Sequence, residues 1–301
     1  MTEETQKPQK DLEEELATEA VDIDPKELII KLSKTSAFAT AAHSAEATIF
    51  DPSKFKWKVF LAGPSGSGKT TAAVMTLPGR KLLIDFDNRA DAAIGVPNLD
   101  IYPCHEPEPK SPMAWMKAER MRTVIISEIK QGIFPYDSII FDGLTTLGRI
   151  AMNWALTLDG KRGLGESPAK QHYGPQMDNL AKFILSTITM PVHICYTGHI
   201  ELIGDESTGV MRNLPKITGK LRTEASNWFN ETFYVYRQAD DKGKLSYYWQ
   251  TKGSGRNEFF KSTLNQLGKY WDDPILLDFN KEGPVGFADL FQRRFGKESP
   301  K

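Results

Sequence analysis

Residues 59–71 read Val59-Phe60-Leu61-Ala62-Gly63-Pro64-Ser65-Gly66-Ser67-Gly68-Lys69-Thr70-Thr71. A short apolar run enters the pattern G-x-x-x-x-G-K-T, and the residues that follow, Ala72-Ala73-Val74-Met75, suit a helix. Strand, glycine loop and helix in that order make a phosphate-binding P-loop. Gly63, Gly66 and Gly68 let the backbone curl until successive N–H groups converge on phosphate oxygens. A helix opening near Lys69 adds its positive end. Lys69 reaches the outer phosphates, and the Thr70 hydroxyl can hold Mg²⁺. The candidate nucleotide-binding residues are therefore Gly63, Pro64, Ser65, Gly66, Ser67, Gly68, Lys69, Thr70 and Thr71, with ATP and Mg²⁺ as the expected ligands. The plain alternative is a Gly/Ser loop that binds nothing.

The flanking chain supports a layered α/β domain. Short apolar strands are expected at Lys56–Ala62, Lys81–Phe86, Leu99–Tyr102, Ser138–Phe141, Val192–Tyr196, Thr232–Arg237 and Leu245–Gln250. Helices are expected at Lys69–Thr76, Pro112–Gln131, Thr145–Leu158, Pro175–Thr189, Leu221–Asn227 and Ala288–Phe295. Helices between short buried strands predict βαβ units and a mostly parallel central sheet covered on both faces. The last two strands, joined by Asp240-Asp241-Lys242-Gly243, predict an antiparallel hairpin at one edge. Ligands in such sheets bind beyond the carboxyl ends of the strands, where the P-loop lies.

Charge divides the chain. Residues 1–27 carry ten acids and three lysines, a net −7 against −1 for all 301 residues. The remainder is mildly basic, which is compatible with a polyanionic ligand. Residues 1–27 read as a disordered acidic tail, with a short helix expected at Lys26–Leu32. Residues 28–54 read as a short helical linker, 55–280 as the core, and 281–301 as a C-terminal helix and tail. Cys104 and Cys195 have no metal-ligand spacing, so reduced thiols in the cytoplasm are expected. The N-terminus has no apolar signal region, and no run approaches a membrane span, so no membrane partner is expected.

Three more strands end in polar residues. Asp137-Ser138-Ile139-Ile140-Phe141-Asp142 reads as the strand that presents a carboxylate, Asp142, to the Mg²⁺ of a P-loop protein. Many buried strands also end in Asp without a ligand. Leu82-Leu83-Ile84-Asp85-Phe86-Asp87 places Asp85 and Asp87 on one face, and Asp87, nearer the end, is the choice for polarising the attacking water. A turn-forming Asp before Asn88 is the alternative. Pro191-Val192-His193-Ile194-Cys195-Tyr196-Thr197-Gly198-His199 puts His199, with Thr197, where a γ-phosphate can be sensed. A loop histidine without a role is the alternative there, and His193 reads as a packed core residue.

The ordered set GPSGSGKT, LLIDFD, YDSIIFDGLTTL, HYGPQMDNLAKFI and PVHICYTGH resembles phage nucleotide-binding proteins with a RecA-like ATPase core, in particular phage single-strand annealing ATPases. The resemblance covers about residues 55–265. It implies ATP hydrolysis with Lys69, Asp87, Asp142 and His199 as catalytic residues and Thr70 and Asp142 on the metal. Asp87 falls where the RecA-like group has a glutamate, one methylene longer. His199 stands where RecA has a glutamine coupling nucleotide to DNA.

The resemblance also implies two DNA-binding loops. The segments are Leu158–His172, with Lys161, Arg162 and Lys170, and Ile200–Lys220, with Arg212, Lys216 and Lys220. Flexible Gly-rich loops with cations suit the irregular backbone of single-stranded DNA. Lys252 and Arg256 fall where RecA-like filaments send cations into a neighbour's ATP site. Phe38-Ala39-Thr40-Ala41 matches the F-x-x-A hook between recombinase protomers, or a local Ala-rich helix. The expected partners are single-stranded DNA, further copies of the chain in a ring or filament, and a single-strand-binding or replication protein. The competing readings are a P-loop ATPase acting on a protein, such as a helicase loader or assembly factor, and a small-molecule kinase. The kinase ranks last because no Arg-rich lid is evident.

Overall fold

The computed structural model describes residues 54–106, 112–160, 167–205, 208–265, 268–279 and 284–296. The chain divides into Met1–Lys54 and Phe55–Lys301. The acidic tail, the helix expected at Lys26–Leu32, the Phe38–Ala41 segment, and Lys161 and Arg162 lie outside the described residues.

Strand β1 (Lys58–Ala62) lies in the middle of the sheet and is apolar on both faces. Phe60 and Ala62 face one core and Val59 and Leu61 the other, as the period of two requires. β1 pairs in parallel with β5 (His193–Gly198) on one side and β8 (Glu231–Ala239) on the other. Beyond β5 come β4 (Ser138–Asp142), β2 (Lys81–Asp85) and β3 (Leu99–Pro103), all parallel. Beyond β8, β9 (Leu245–Gln250) and β11 (Ile275–Leu277) add antiparallel, and β10 (Lys261–Ser262) pairs with β8. The order is β11-β9-β8-β1-β5-β4-β2-β3, a mostly parallel sheet with an antiparallel edge. β2 and β4 are buried along their whole length, as strands covered on both faces must be.

One face is covered by α2 (Ala114–Gln131), α3 (Leu144–Leu156), α4 (Lys170–Ile188) and α5 (Leu221–Trp228), through residues such as Trp115, Leu147, Phe183 and Ala225. The other is covered by α1 (Lys69–Thr76) and α6 (Phe287–Phe295), whose Ala72, Ala73, Phe287 and Leu290 meet Trp57 and Trp249. α2 ends where Gly132 takes φ 70°, its N–H returning to Glu128 and Ile129.

Each of the seven expected strands is present. α4 begins a turn before Pro175, where the sequence places its start. The added turn is closed by His172, whose Nδ1 accepts the Ala169 N–H at 2.9 Å. The larger correction is at Ile200–Lys220. The expected flexible loop is instead an antiparallel hairpin of β6 (Ile200–Gly204) and β7 (Met211–Pro215) over most of its length. Gly209 takes φ 68° in the turn between them, so it serves a tight reversal rather than a floppy tether.

Candidate active site

The carboxyl ends of β1, β2, β4 and β5 converge on one cleft, lined by residues 65–71, Asp87, Arg89, Asp142, Thr197 and His199 among others. The loop 63–68 is held at both ends. The Gly63 N–H donates to the Gly198 carbonyl at 3.2 Å, and the Ala72 N–H to the Gly68 carbonyl at 2.8 Å. Gly66 and Gly68 take φ 71° and 87°, the left-handed backbone that turns the loop into a cradle. Gly63 is required for a different reason. A Cβ there would lie 2.0 Å from the Val235 carbonyl oxygen on β8.

Lys69 is buried, and its Nζ donates to the Gly63 and Pro64 carbonyls at 3.1 and 2.7 Å. Burial lowers its pKa to about 8, against the pull of Asp142 and Asp87. The ammonium is thus held by loop carbonyls. Thr70 Oγ1 donates to Asp142 Oδ2 at 2.9 Å, and Thr197 Oγ1 donates to Asp142 Oδ1. Burial pushes the Asp142 carboxyl above its usual range, although both hydroxyls favour its charge. A buried carboxylate with two hydroxyl partners and raised pKa suits a cation beside it. The hard oxygens of Thr70 and Asp142 fit Mg²⁺, which takes one or two protein oxygens and fills its shell with water and phosphate. No cluster of three or more His, Cys, Asp or Glu occurs among the described residues, so a cation in this cleft would depend on that second source of oxygens.

Asp85 and Asp87 divide their work. Asp85 is buried, and its carboxylate accepts the backbone N–H groups of Asp87 at 3.0 Å and Arg89 at 3.1 Å. It pins the turn. Asp87 is half-buried at the cleft, its Oδ2 3.3 Å from where a Cβ on Gly143 would be. His199 is also half-buried. Its N–H donates to Thr145 Oγ1 at 3.0 Å, and its carbonyl accepts the Lys216 N–H at 2.8 Å. Its ring is pushed toward the neutral form, first by burial and then by Lys69. His193 is a packed residue as the sequence reads it, its Nδ1 accepting the Trp57 N–H at 3.0 Å.

Pro64, Ser65, Arg89 and His199 also border a groove of ≈ 920 Å³, whose other walls include Arg149, Tyr173, Lys216 and Arg222. Of the expected DNA contacts, Lys216 is exposed in this groove. Lys220 is exposed beside Glu224 at 3.7 Å, and Lys170 is exposed at the start of α4. Arg212 is committed elsewhere, to Glu258 and, at 3.3 Å, to Asp205. Lys252 and Arg256 are exposed on the turn after β9 and do not border this chain's cleft. That turn is tied to the β6–β7 hairpin by Asn213 and Asn257 at 2.7 Å. Sequence reading missed Arg89, Thr145 and the pinning role of Asp85. The signal for Asp85 and Arg89 is the polar-rich run 85–91 at the end of a buried strand; Thr145 has none.

The sequence profile of the AAA domain family matches residues 55–259. The chain belongs to the AAA domain family. The matched span holds every cleft residue described above. Among solved structures, the AAA domain is similar to an ATPase from the type III secretion system of pathogenic bacteria, at 14% identity and a TM-score of 0.40. That alignment covers 60% of this chain and 52% of the other, so the chain spans about half the length of the relative it matches. No curated protein sequence matches the chain significantly. The AAA domain is a P-loop ATPase domain with the fold expected from its motifs. No helix among the described residues is long and apolar enough to cross a membrane.

Proposed function

We propose that this AAA domain hydrolyses ATP and couples it to binding single-stranded DNA, promoting annealing or homologous pairing in phage-type recombination. The observation that carries the reading is the shared wall. His199, Ser65 and Arg89 border both the phosphate cleft and the cationic groove. A residue that feels the γ-phosphate therefore also borders the surface available to a polyanion. Lys216 and Arg149 supply charge for phosphates, Arg222 is paired with Glu201 at 3.2 Å in the same groove, and exposed Tyr173 supplies a ring on which a base can stack.

In this reading the backbone N–H groups of 65–70 hold the β- and γ-phosphates, and Lys69 leaves its carbonyl partners for their oxygens. Mg²⁺ held by Thr70 and Asp142 would offset phosphate charge. Asp87 orients the attacking water. His199 shifts with the γ-phosphate and, through its carbonyl bond to Lys216, pulls on the base of the β6–β7 hairpin. Lys252 and Arg256 are available to a neighbouring copy in a ring or filament. A host-cell cytoplasmic setting fits this work.

Leu202, Val210 and Met211, exposed together on the hairpin, favour a second reading, an ATPase that engages a protein such as a helicase loader. One pair of measurements separates them: ATPase rate with and without single-stranded DNA, and anisotropy of a labelled oligonucleotide at low salt. Stimulation and ATP-dependent binding are expected. No binding in any nucleotide state overturns the DNA reading.

A further inference from the structure

The phosphate cleft holds two carboxylates, Asp87 and Asp142, against one buried ammonium, Lys69. Phosphoryl transfer spreads negative charge over the γ-phosphate oxygens, so a cationic side chain besides Lys69 and the metal would stabilise it there. The Arg237 guanidinium lies against the P-loop, 3.3 Å from where a Cβ on Gly66 would stand, without lining the cleft. Arg89 is the one arginine that lines the cleft among the described residues.

Its placement is built, not incidental. β2 ends at Asp85, and the chain turns through Asn88 at φ 54°. That left-handed residue re-aims the chain, and Asn is among the few types that adopt it readily. The Asp85 carboxylate, 4% exposed, then takes the N–H groups of both Asp87 and Arg89. One buried carboxylate thereby fixes the backbone of the water-orienting residue and of the cation two positions on. The Ala90–Ala93 turn follows at once and lets Ala92 close the same cleft. Arg89 itself is exposed, and no ion pair or side-chain hydrogen bond holds its guanidinium among the described residues. It also borders the cationic groove, on the P-loop side beside Ser65.

We infer that Arg89 is a catalytic residue supplied in cis, whose guanidinium binds the γ-phosphate as it is transferred; this rests on the ATPase reading above. The water oxygen bonds to the γ-phosphorus while the bond to the β–γ bridging oxygen breaks. The electron pair leaves with ADP, and the water proton ends on the released phosphate. Arg89 donates to the equatorial oxygens throughout and exchanges no proton, and Asp87 holds the water opposite the leaving group. With a cis cation the isolated chain turns over slowly without a neighbour, and Lys252 or Arg256 of another copy adds to the rate rather than creating it.

The test uses the full chain without DNA, carrying Arg89→Ala or Arg89→Lys. Binding of a fluorescent ATP analogue, steady-state turnover and retention of ADP with aluminium fluoride are measured. Arg89→Ala is expected to bind the analogue like the wild type, to lose turnover by about 10²–10³-fold, and to fail to retain ADP–aluminium fluoride. Arg89→Lys, a point charge without the planar fork, recovers part of the loss. Wild-type turnover in Arg89→Ala overturns the assignment. So does a loss of analogue binding as large as the loss of turnover, or a loss confined to oligonucleotide affinity. A wild-type chain with no turnover, with or without single-stranded DNA, instead defeats the ATPase reading itself.

Discussion

Thr70 Oγ1 donates to Asp142 Oδ2 across 2.9 Å, joining the first turn of α1 to the last residue of β4. The two oxygens meet where the P-loop helix adjoins the sheet, and the carboxyl is buried with its pKa raised by that burial. A raised carboxylate pKa means that folding disfavours the charged form. Asp142→Asn is therefore expected to raise the melting temperature of the nucleotide-free protein while removing turnover. Thr70→Val is expected to remove the part of ATP affinity that depends on Mg²⁺. ATP titrations with and without Mg²⁺, and thermal melts, check both. An Asp142→Asn protein that melts lower than the wild type contradicts the electrostatic account.

Asp87 is one methylene shorter than a glutamate, yet it stands close enough to Gly143 that a Cβ there would lie 3.3 Å from its Oδ2. A general-base or water-orienting role is worth about 10²–10⁴-fold in rate. Asp87→Asn should lose turnover in that range and keep nucleotide affinity, since the backbone N–H bond to Asp85 that places it is unchanged. Equal losses in affinity and turnover would mark Asp87 as a binding residue only.

His199 joins the cleft to the hairpin through two backbone bonds, to Thr145 Oγ1 and from Lys216. ATP is expected to increase amide-exchange protection across 200–216 in the wild type. His199→Ala should keep ATP affinity and lose that increase, because the main-chain bonds persist without a ring to respond. Protection that rises equally in both proteins removes His199 from the coupling.

Gly63 and Gly174 test whether glycine positions can be priced from their surroundings. Alanine at Gly63 drives its Cβ to 2.0 Å from the Val235 carbonyl, where β1 and β8 are already paired through Ala62 and Tyr234. Neither backbone can yield, so a loss of about 3 kcal/mol is expected. Gly174 lies in α4 with nothing beyond its own helix and chain neighbours within 4 Å of its virtual Cβ, but it precedes Pro175, whose ring crowds a helical Cβ at that position and offsets the propensity gain, so alanine there should change stability by less than about 0.5 kcal/mol. Chemical denaturation of the two variants gives both magnitudes.

The sequence makes the P-loop, β2, β4 and β5 legible because each is a short buried run ending in a polar residue, and burial on both faces leaves little other choice. It does not show what β8 does to the loop, since a carbonyl at Val235 has no signature and its partner lies 172 positions earlier at Gly63. The hairpin at 200–215 escapes because Gly204 and Gly209 read as slack, whereas the alternation of Ile200, Leu202 and Gly204 with Glu201 and Ile203 is the pleat of β6. Asp85 is misjudged for a similar reason. Period-two alternation puts it beside Asp87, but the strand stops at Asp85, and the turn buries one carboxylate while leaving the other at the cleft.

His193 offers a check far from the cleft. Its Nδ1 accepts the Trp57 N–H at 3.0 Å, a bond that protonation would break. Burial first, then Lys56 and Lys58, lowers its pKa from 6.5 to about 4. Between those values the unfolded chain binds a proton that the folded chain refuses. Stability therefore rises with pH through this window and is lost as pH falls from about 6.5 toward about 4, by up to about 3 kcal/mol. His193→Asn keeps an acceptor near the Nδ1 position and removes the titration. The stability difference between wild type and variant should then be constant above pH 7 and shift against the wild type as the pH drops to 4. Denaturant melts across that range decide it, and a difference that stays flat to pH 4 means His193 keeps an ordinary pKa despite its burial.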